Sequence, residues 1–283
     1  MRVLGGRGLL CALVGVLAAA LVSAVPADAT PAHGGGGYLA LGDSVAFGYR
    51  PPEVTPPADY LNAANFVGYP EVLDADVNNA SCPGETTASL IDPAAPSNGC
   101  ESAPGSSTGY RTAFPLHANY SGSQLAYAVQ YLRTHRSTKL VSIDIGANDL
   151  FYCQETTADQ CTGTDFAATL KQIGTNLASI YSAIRGQAHY HGKLVLLTYY
   201  STDYRDATID AETGQLNKVL TTVTREFGGK IADGFDAFRL ASLPFGGDTC
   251  AAGLLVALPA GGCNEHPSAK GHDVLAAAVA LAF

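Results

Sequence analysis

The chain has 283 residues, enough for one large domain with a sizeable hydrophobic core. Its composition of 47% hydrophobic and 14% charged residues excludes an intrinsically disordered protein. The formal net charge is −9 and no Lys or Arg cluster is present, which argues against nucleic acid or an anionic membrane surface as partners.

The first 29 residues have the pattern of a secretory signal peptide. Arg2 and Arg7 precede an apolar stretch over residues 9–22, and small residues follow. The small-x-small cleavage pattern occurs at residues 22–24 and again at 27–29, so the cleavage site stays open. A retained membrane anchor is the alternative, although the stretch is short for a bilayer span. We therefore expect a secreted protein without stable membrane insertion, with a Gly-rich flexible lead-in over residues 30–37.

Beyond the lead-in, hydrophobic periodicity predicts strands that alternate with helices. The strands are predicted over residues 38–41, 76–79, 140–145, 194–199 and from 230 to 232. The helices are predicted over residues 66–75, 124–134, 166–184, 216–227 and 268–283. We find no internal repeat and no second domain boundary, so residues 38–283 are predicted to form one domain.

Strands separated by helices favour a mostly parallel sheet that is covered on both faces. Functional residues gather at the carboxyl ends of the strands in such sheets. Ser44, Gly84 and Asn148 each lie just beyond a predicted strand. We therefore expect them at one edge of the sheet.

Four short segments carry residue types suited to acyl transfer. A serine hydroxyl needs a base to take its proton, and histidine, which titrates near pH 6.5, is the usual base. A glycine N–H and an asparagine NH₂ can donate hydrogen bonds to the oxygen that becomes negative in the tetrahedral intermediate. In chain order the segments are Gly42-Asp43-Ser44, Asn79-Ala80-Ser81-Cys82-Pro83-Gly84-Glu85-Thr86, Gly146-Ala147-Asn148-Asp149 and His266-Pro267.

These four segments, in this order, resemble the four-block pattern of the SGNH (GDSL-type) hydrolases, and the chain is similar to secreted actinobacterial esterases and lipases over about residues 38–283. The resemblance implies a three-layer α/β/α, flavodoxin-like fold. It implies Ser44 as nucleophile, His266 as base, and an oxyanion hole formed by the Ser44 N–H, Gly84 and Asn148. It also implies a secreted serine ester hydrolase, acting through an acyl-enzyme on lipidic or short-chain acyl esters, with no metal or organic cofactor. We expect a monomer whose partner is this small-molecule or lipid substrate.

The chain departs from the family at the third member of the catalytic triad. Most relatives carry Asp three residues before the catalytic histidine, where this chain has Cys263. Glu265 is adjacent to His266, but neighbouring side chains tend to point apart. We expect a backbone carbonyl near Cys263–Asn264 to accept the imidazole N–H instead. His272 is expected to be a structural residue of the closing helix.

Removal of the leader leaves six cysteines, which in an exported chain argue for disulfides, although six cysteines allow fifteen connectivities. They lie in three close pairs within loops, and no spacing typical of a metal site supports the rival interpretation. We expect sequential pairing, Cys82–Cys100, Cys153–Cys161 and Cys250–Cys263.

Two expectations concern the surroundings of the site. Asp43 and Asp149 are predicted to organise turns through local side-chain-to-backbone bonds. Aromatic residues near the expected edge of the sheet favour lipidic acyl chains, and the alternative is that they pack the loops. The alternative to an enzyme is a non-catalytic carbohydrate- or lipid-binding module that has kept the fold.

Overall fold

A five-stranded parallel sheet forms the centre of residues 37–283, the part of the chain that the computed structural model describes. The strands lie in the order β2-β1-β3-β4-β5. Strands β1 and β3 pair along their whole length, and all their residues are buried, as expected for parallel strands with both faces covered. The bounds are β1 Tyr38–Gly42, β2 Asn78–Asn79, β3 Leu140–Asp144, β4 Lys193–Leu197 and β5 Lys230–Ala232.

Helices cover both faces of this sheet, which confirms the three-layer α/β/α fold. Helices α2, α9 and α10 pack together, and α3, α5, α6, α7 and α8 form a second connected group. The shorter helices are α1 Ser44–Phe47, α2 Tyr69–Leu73, α3 Thr87–Ile91, α4 Tyr110–Ala113, α6 Ala147–Thr156 and α9 Gly234–Ser242. The longer ones are α5 Gln124–Thr134, α7 Gly163–Ser182, α8 Ala207–Glu226 and α10 Ala269–Leu281.

The predicted elements agree best where an apolar stripe runs through the whole element. Helix α5 and strand β5 have the predicted bounds. Helix α8 begins nine residues before the predicted start at Leu216, because its first turns are partly exposed and carry polar residues such as Asp210 and Glu212. Helices α6 and α9 were not predicted: α6 has no continuous apolar stripe, and α9 is only nine residues long.

A two-stranded antiparallel hairpin lies outside the central sheet and carries the late histidine. Its strands are β6, Leu255–Ala257, and β7, Cys263–Pro267. The Cys250–Cys263 disulfide joins the first residue of β7 to the segment that precedes β6. Cys82–Cys100 and Cys153–Cys161 are also bonded, so the three pairs are those expected from the sequence.

The predicted signal peptide, its cleavage site and residues 30–36 of the lead-in lie outside the described residues. Within residues 37–283, no helix combines the length and apolarity that a membrane span requires.

Candidate active site

Ser44 lies where β1 ends and α1 begins. Gly42 turns the chain at φ +139°, and a Cβ there would lie 2.2 Å from the carbonyl oxygen of Asp144, so only glycine fits. Asp43 caps α1, because its Oδ1 accepts a hydrogen bond from the N–H of Val45 at 2.9 Å. The tight turn places Ser44 as the first residue of the helix at the carboxyl edge of the sheet, and its backbone N–H has no acceptor within the helix.

His266 reaches Ser44 from the hairpin, across 222 positions of sequence. Its Nε2 lies 2.8 Å from Ser44 Oγ, within hydrogen-bond distance. The imidazole is largely covered, with 12% of the side chain exposed, and the ring of Tyr49 packs against it with centroids 4.9 Å apart. Burial lowers the pKa of His266 because desolvation disfavours the imidazolium, while the nearby Glu265 carboxylate acts in the opposite direction. The ring is therefore neutral near pH 7 and able to accept a proton.

The expected backbone carbonyl is wrong as the partner of the other ring nitrogen: the acceptor is the side chain of Asn264. His266 Nδ1 lies 2.5 Å from Asn264 Oδ1, which also accepts the His266 backbone N–H at 3.1 Å. In an extended strand, residues two apart share a face and the carbonyls point sideways, so Asn264 can reach the ring. Glu265 Oε1 is 3.6 Å from Nδ1, too far for a hydrogen bond.

This arrangement also determines the tautomer of His266. Asn264 Nδ2 donates to Glu265 Oε2 at 2.6 Å, so the Asn264 atom that faces the ring is its oxygen. Nδ1 therefore carries the hydrogen, and Nε2 is the free acceptor that faces the Ser44 hydroxyl. The Glu265 backbone carbonyl accepts from the hydroxyl of Tyr200 at 2.7 Å, which anchors β7 beside the site.

Asn148 is brought to the same edge as the second residue of α6. Its side chain is buried, and Nδ2 donates to Asp43 Oδ2 at 3.2 Å. Its Oδ1 accepts from Asn98 Nδ2 at 3.1 Å. Asn148 is therefore linked to Asp43, the residue before Ser44, and to Asn98. Asn98 was missed because its loop has no sequence pattern that marks it.

Gly84 lies in the turn after β2, next to the site but outside the wall of its cavity. Its carbonyl accepts the backbone N–H of Asn98 at 2.8 Å. Gly84 has φ +80°, and a Cβ would lie 2.4 Å from the Cα of Gly99. Glycine is thus required both by the backbone angle and by the close approach of the two loops.

Asp43 and Asp144 form a pair of buried carboxyls at the carboxyl ends of β1 and β3, beside Ser44. Burial and the neighbouring Asp43 charge raise the pKa of Asp144 well above its usual range, so Asp144 holds a proton. The pKa of Asp43 is also raised by burial, but hydrogen bonds from Tyr199, Val45 and Asn148 favour its ionised form. Tyr199 lies just beyond the end of β4, and its hydroxyl donates a hydrogen bond to Asp43 Oδ2. The sequence did not predict this contact. The negative charge therefore stays on Asp43.

The expectation of local bonding is incomplete for Asp43 and wrong for Asp149. Asp43 bonds locally to Val45 but also binds two distant side chains. Asp149 accepts the backbone N–H of Thr87 at 2.8 Å and its hydroxyl at 2.5 Å, 62 positions away. Burial raises the pKa of Asp149 to about 6. Asp149 therefore ties α6 to the start of α3 rather than closing its own turn.

A cavity of about 530 Å³ opens beside the Ser44–His266 pair and extends between α6 and α8. Its apolar wall is formed by Val45, Ala147, Leu150, Phe151, Ile209 and Leu216. Three carboxylates also line it, those of Glu155, Glu212 and Glu265, and none of the residues that line it in the described chain is Lys or Arg. A volume of this size is typical of small-molecule sites.

Within residues 37–283, the one group of side chains close enough to hold a metal ion is Cys82, Glu85 and Cys100. Both cysteines are bonded to each other, so neither is a thiolate that could bind a metal.

A three-layer α/β/α fold with a serine–histidine pair at the carboxyl edge of its sheet is typical of a carboxylic ester hydrolase. The model of the GDSL-like lipase/acylhydrolase family matches residues 40–274, and the chain belongs to this family. It is therefore a carboxylic ester hydrolase and not the non-catalytic module considered as the alternative. No curated protein sequence matches the chain significantly.

Solved structures with the same fold include esterases and lipases of low sequence identity. Phospholipase A1 from Streptomyces albidoflavus NA297 is 19% identical with a TM-score of 0.54, over 88% of this chain and 99% of that one. A catalytic mutant of Axe2, an acetylxylan esterase from Geobacillus stearothermophilus, is 19% identical with a TM-score of 0.51, over 86% and 92% of the two chains. The protein YXIM_BACsu from Bacillus subtilis is 12% identical with a TM-score of 0.53, over 87% of this chain and 55% of that one.

Proposed function

We propose that the protein is a secreted serine esterase or lipase that hydrolyses uncharged acyl esters through an acyl-enzyme on Ser44. The observation that carries the proposal is the 2.8 Å contact between Ser44 Oγ and Nε2 of a neutral, largely buried His266. A nucleophile and base at hydrogen-bond distance, with the base oriented by a third group, is the signature of covalent catalysis by serine.

In this mechanism, Ser44 Oγ attacks the ester carbonyl as His266 Nε2 takes the hydroxyl proton. Asn264 Oδ1 stabilises the resulting imidazolium through the Nδ1–H bond. The Ser44 backbone N–H and the Asn148 amide donate to the oxyanion, with the Gly84 N–H as the predicted third donor. The imidazolium then protonates the leaving alcohol, and the same base activates the water that releases the acid.

The apolar wall between α6 and α8 supports a lipidic acyl chain as the occupant of the cavity. The cavity begins at Ser44, so a chain attached to the reacting carbonyl can enter it directly. Contact with Leu150, Ile209 and Leu216 would remove apolar surface of the chain from water. The three glutamates disfavour substrates that bring a negative charge into the same space. Neutral acyl esters therefore fit better than anionic ones.

Secretion is supported by the three disulfides, which form and persist in oxidising compartments. The leader-like residues 1–29 provide a route for export. Expression in a secreting bacterial host, followed by mass spectrometry of the N-terminus in the medium, tests this part of the proposal. A cleaved chain beginning near residue 25 or 30 is expected, and full-length protein retained in the cells would contradict it.

The catalytic assignment is tested with Ser44→Ala and His266→Ala on p-nitrophenyl acetate. Both variants should lose at least about a thousandfold in kcat, because they remove members of a unit that acts together. Thermal unfolding checks that the fold is intact, and wild-type turnover by a folded Ser44→Ala would refute the proposal.

The acyl-chain assignment is tested with a ladder of p-nitrophenyl esters, from acetate to palmitate, alongside a carboxylate-bearing ester such as the hemisuccinate. Enlarging the small wall residue Ala147 with Ala147→Phe should shift the preference of the enzyme toward shorter chains. An unchanged ladder, or equal use of the anionic ester, would contradict the proposed occupant.

A further inference from the structure

The side-chain amide of Asn148 is held from two sides. Its Nδ2 donates to Asp43 Oδ2 at 3.2 Å, and its Oδ1 accepts from Asn98 Nδ2 at 3.1 Å. The ionised Asp43 can only accept, so the nitrogen faces Asp43 and the oxygen faces Asn98. One Nδ2 hydrogen is used by Asp43, and the second is left for a substrate oxygen.

Asn98 is itself well fixed, although it belongs to a long loop. Its backbone N–H donates to the Gly84 carbonyl at 2.8 Å. Two residues later, Cys100 is bonded to Cys82, which lies two residues before Gly84. The loop is thus fixed at Asn98 itself and at Cys100, two residues beyond it. Asn98 lines the cavity together with Asn148.

We propose that Asn98 is a positioning residue that holds the Asn148 amide in the orientation needed to donate to the oxyanion. This inference rests on the proposed function above. The last side-chain torsion of asparagine is broad, so an amide without a partner on its oxygen can rotate. Rotation would move the N–H away from the developing charge and bring the amide oxygen toward it. Asn98 prevents this rotation and acts only through Asn148.

A double-mutant cycle tests this claim with kcat on p-nitrophenyl acetate. Asn148→Ala should lower kcat by about a hundredfold or more, as the loss of an oxyanion donor does elsewhere. Asn98→Ala should lower kcat about tenfold with little change in KM, since the donor is misaligned rather than removed. The double variant should be no slower than Asn148→Ala alone, because nothing is left for Asn98 to orient. Asn65→Ala, at an exposed asparagine that does not line the cavity, is the matched control and should keep wild-type kcat.

The second variant, Asn98→Asp, keeps the size of the side chain, so its effect on kcat does not come from lost packing. A carboxylate cannot donate to Asn148 Oδ1, so its kcat relative to wild type should be low at pH 8. This ratio should rise as the pH falls and the carboxyl is protonated, because the protonated acid can donate again. The added carboxylate can only raise the pKa of His266, which would lower this ratio at acidic pH, so a rise reports the restored donor. A purely structural role would give no rise in the ratio as the pH falls, and that result would overturn the proposal.

Two other outcomes are separable. If Asn148→Ala is impaired and Asn98→Ala is not, or if Asn98→Ala is equally harmful in the Asn148→Ala background, this inference fails and the proposed function stands. If a folded Ser44→Ala turns over like wild type, the proposed function fails and this inference with it.

Discussion

The bond between His266 and Asn264 gives the most direct test of how this site works without a carboxylate triad. Asn264→Ala removes the acceptor of the Nδ1–H bond, which is 2.5 Å long and lies beside a ring that is 12% exposed. It leaves Ser44, the hairpin and the Cys250–Cys263 disulfide in place. The imidazole would then be free to turn and would lose the partner that stabilises its cation.

The size of the effect follows from the kind of bond that is lost. Hydrogen bonds to charged groups contribute about 1.5–3 kcal/mol, and in the proposed mechanism the ring of His266 becomes charged in the transition state. Because each 1.36 kcal/mol corresponds to tenfold in rate, Asn264→Ala should lower kcat/KM by about 10- to 150-fold.

The assay is p-nitrophenyl acetate turnover at pH 8, with two comparison variants. Asn264→Asp keeps an acceptor in reach of Nδ1 and adds a charge that favours the imidazolium, so it should keep more activity than Asn264→Ala. Glu265→Gln should stay within about threefold of wild type, because Glu265 lies 3.6 Å from Nδ1 and is half exposed.

The reverse pattern would refute this reasoning. A loss of several orders of magnitude in Glu265→Gln, with Asn264→Ala nearly unaffected, would mean that Glu265 moves onto the imidazole during the reaction and completes a carboxylate triad.

Three further predictions concern pH. Burial lowers the pKa of His266, so wild-type kcat/KM should fall only below pH 6.5. The Glu265 charge raises this pKa, so Glu265→Gln should move the acidic limb of the pH–rate profile to lower pH, and a shift to higher pH would contradict this. Asp144 keeps its proton in the folded protein and loses it in the unfolded chain. The free energy of unfolding in urea should therefore decrease between about pH 4 and 8, and it should decrease more steeply in wild type than in Asp144→Asn. Equal slopes in the two proteins would contradict a proton on Asp144. The pKa of His272 is lowered to about 3 by burial. The unfolded chain therefore binds a proton at His272 that the folded protein does not. Between pH 8 and pH 5 the free energy of unfolding should decrease by about 2 kcal/mol more in wild type than in His272→Leu, and an equal decrease in both would refute this.

Several parts of the fold follow from local patterns that a reader of the sequence can recognise. Helix α5 has an apolar stripe from end to end and was predicted with its observed bounds. Strands β1 and β3 are continuous apolar runs, as buried parallel strands require. The start of α8 and the whole of α6 lack such a stripe, because much of their surface faces solvent. Their extent depends on packing against the rest of the domain.

The site divides in the same way. Ser44 and His266 could be selected because acyl transfer needs a serine and a base, and the chain offers them in family-like segments. Asn264 was placed in the right segment but with the wrong atom, since the choice between its carbonyl and its side chain depends on β7 being extended. Asn98 and Tyr199 could not be selected, because their partners Asn148 and Asp43 are distant in sequence.

The amino-acid sequence alone indicated the alternating strands and helices, the serine and histidine proposed as nucleophile and base, and the sequential pairing of the cysteines, because these depend on residue type and on short spacings. Only the tertiary structure decided which acceptor orients His266, which of the two buried acids keeps its proton, and how Asn148 is held. These depend on distances of a few ångströms between segments far apart in the chain, and hydrogen bonds and desolvation change steeply over such distances.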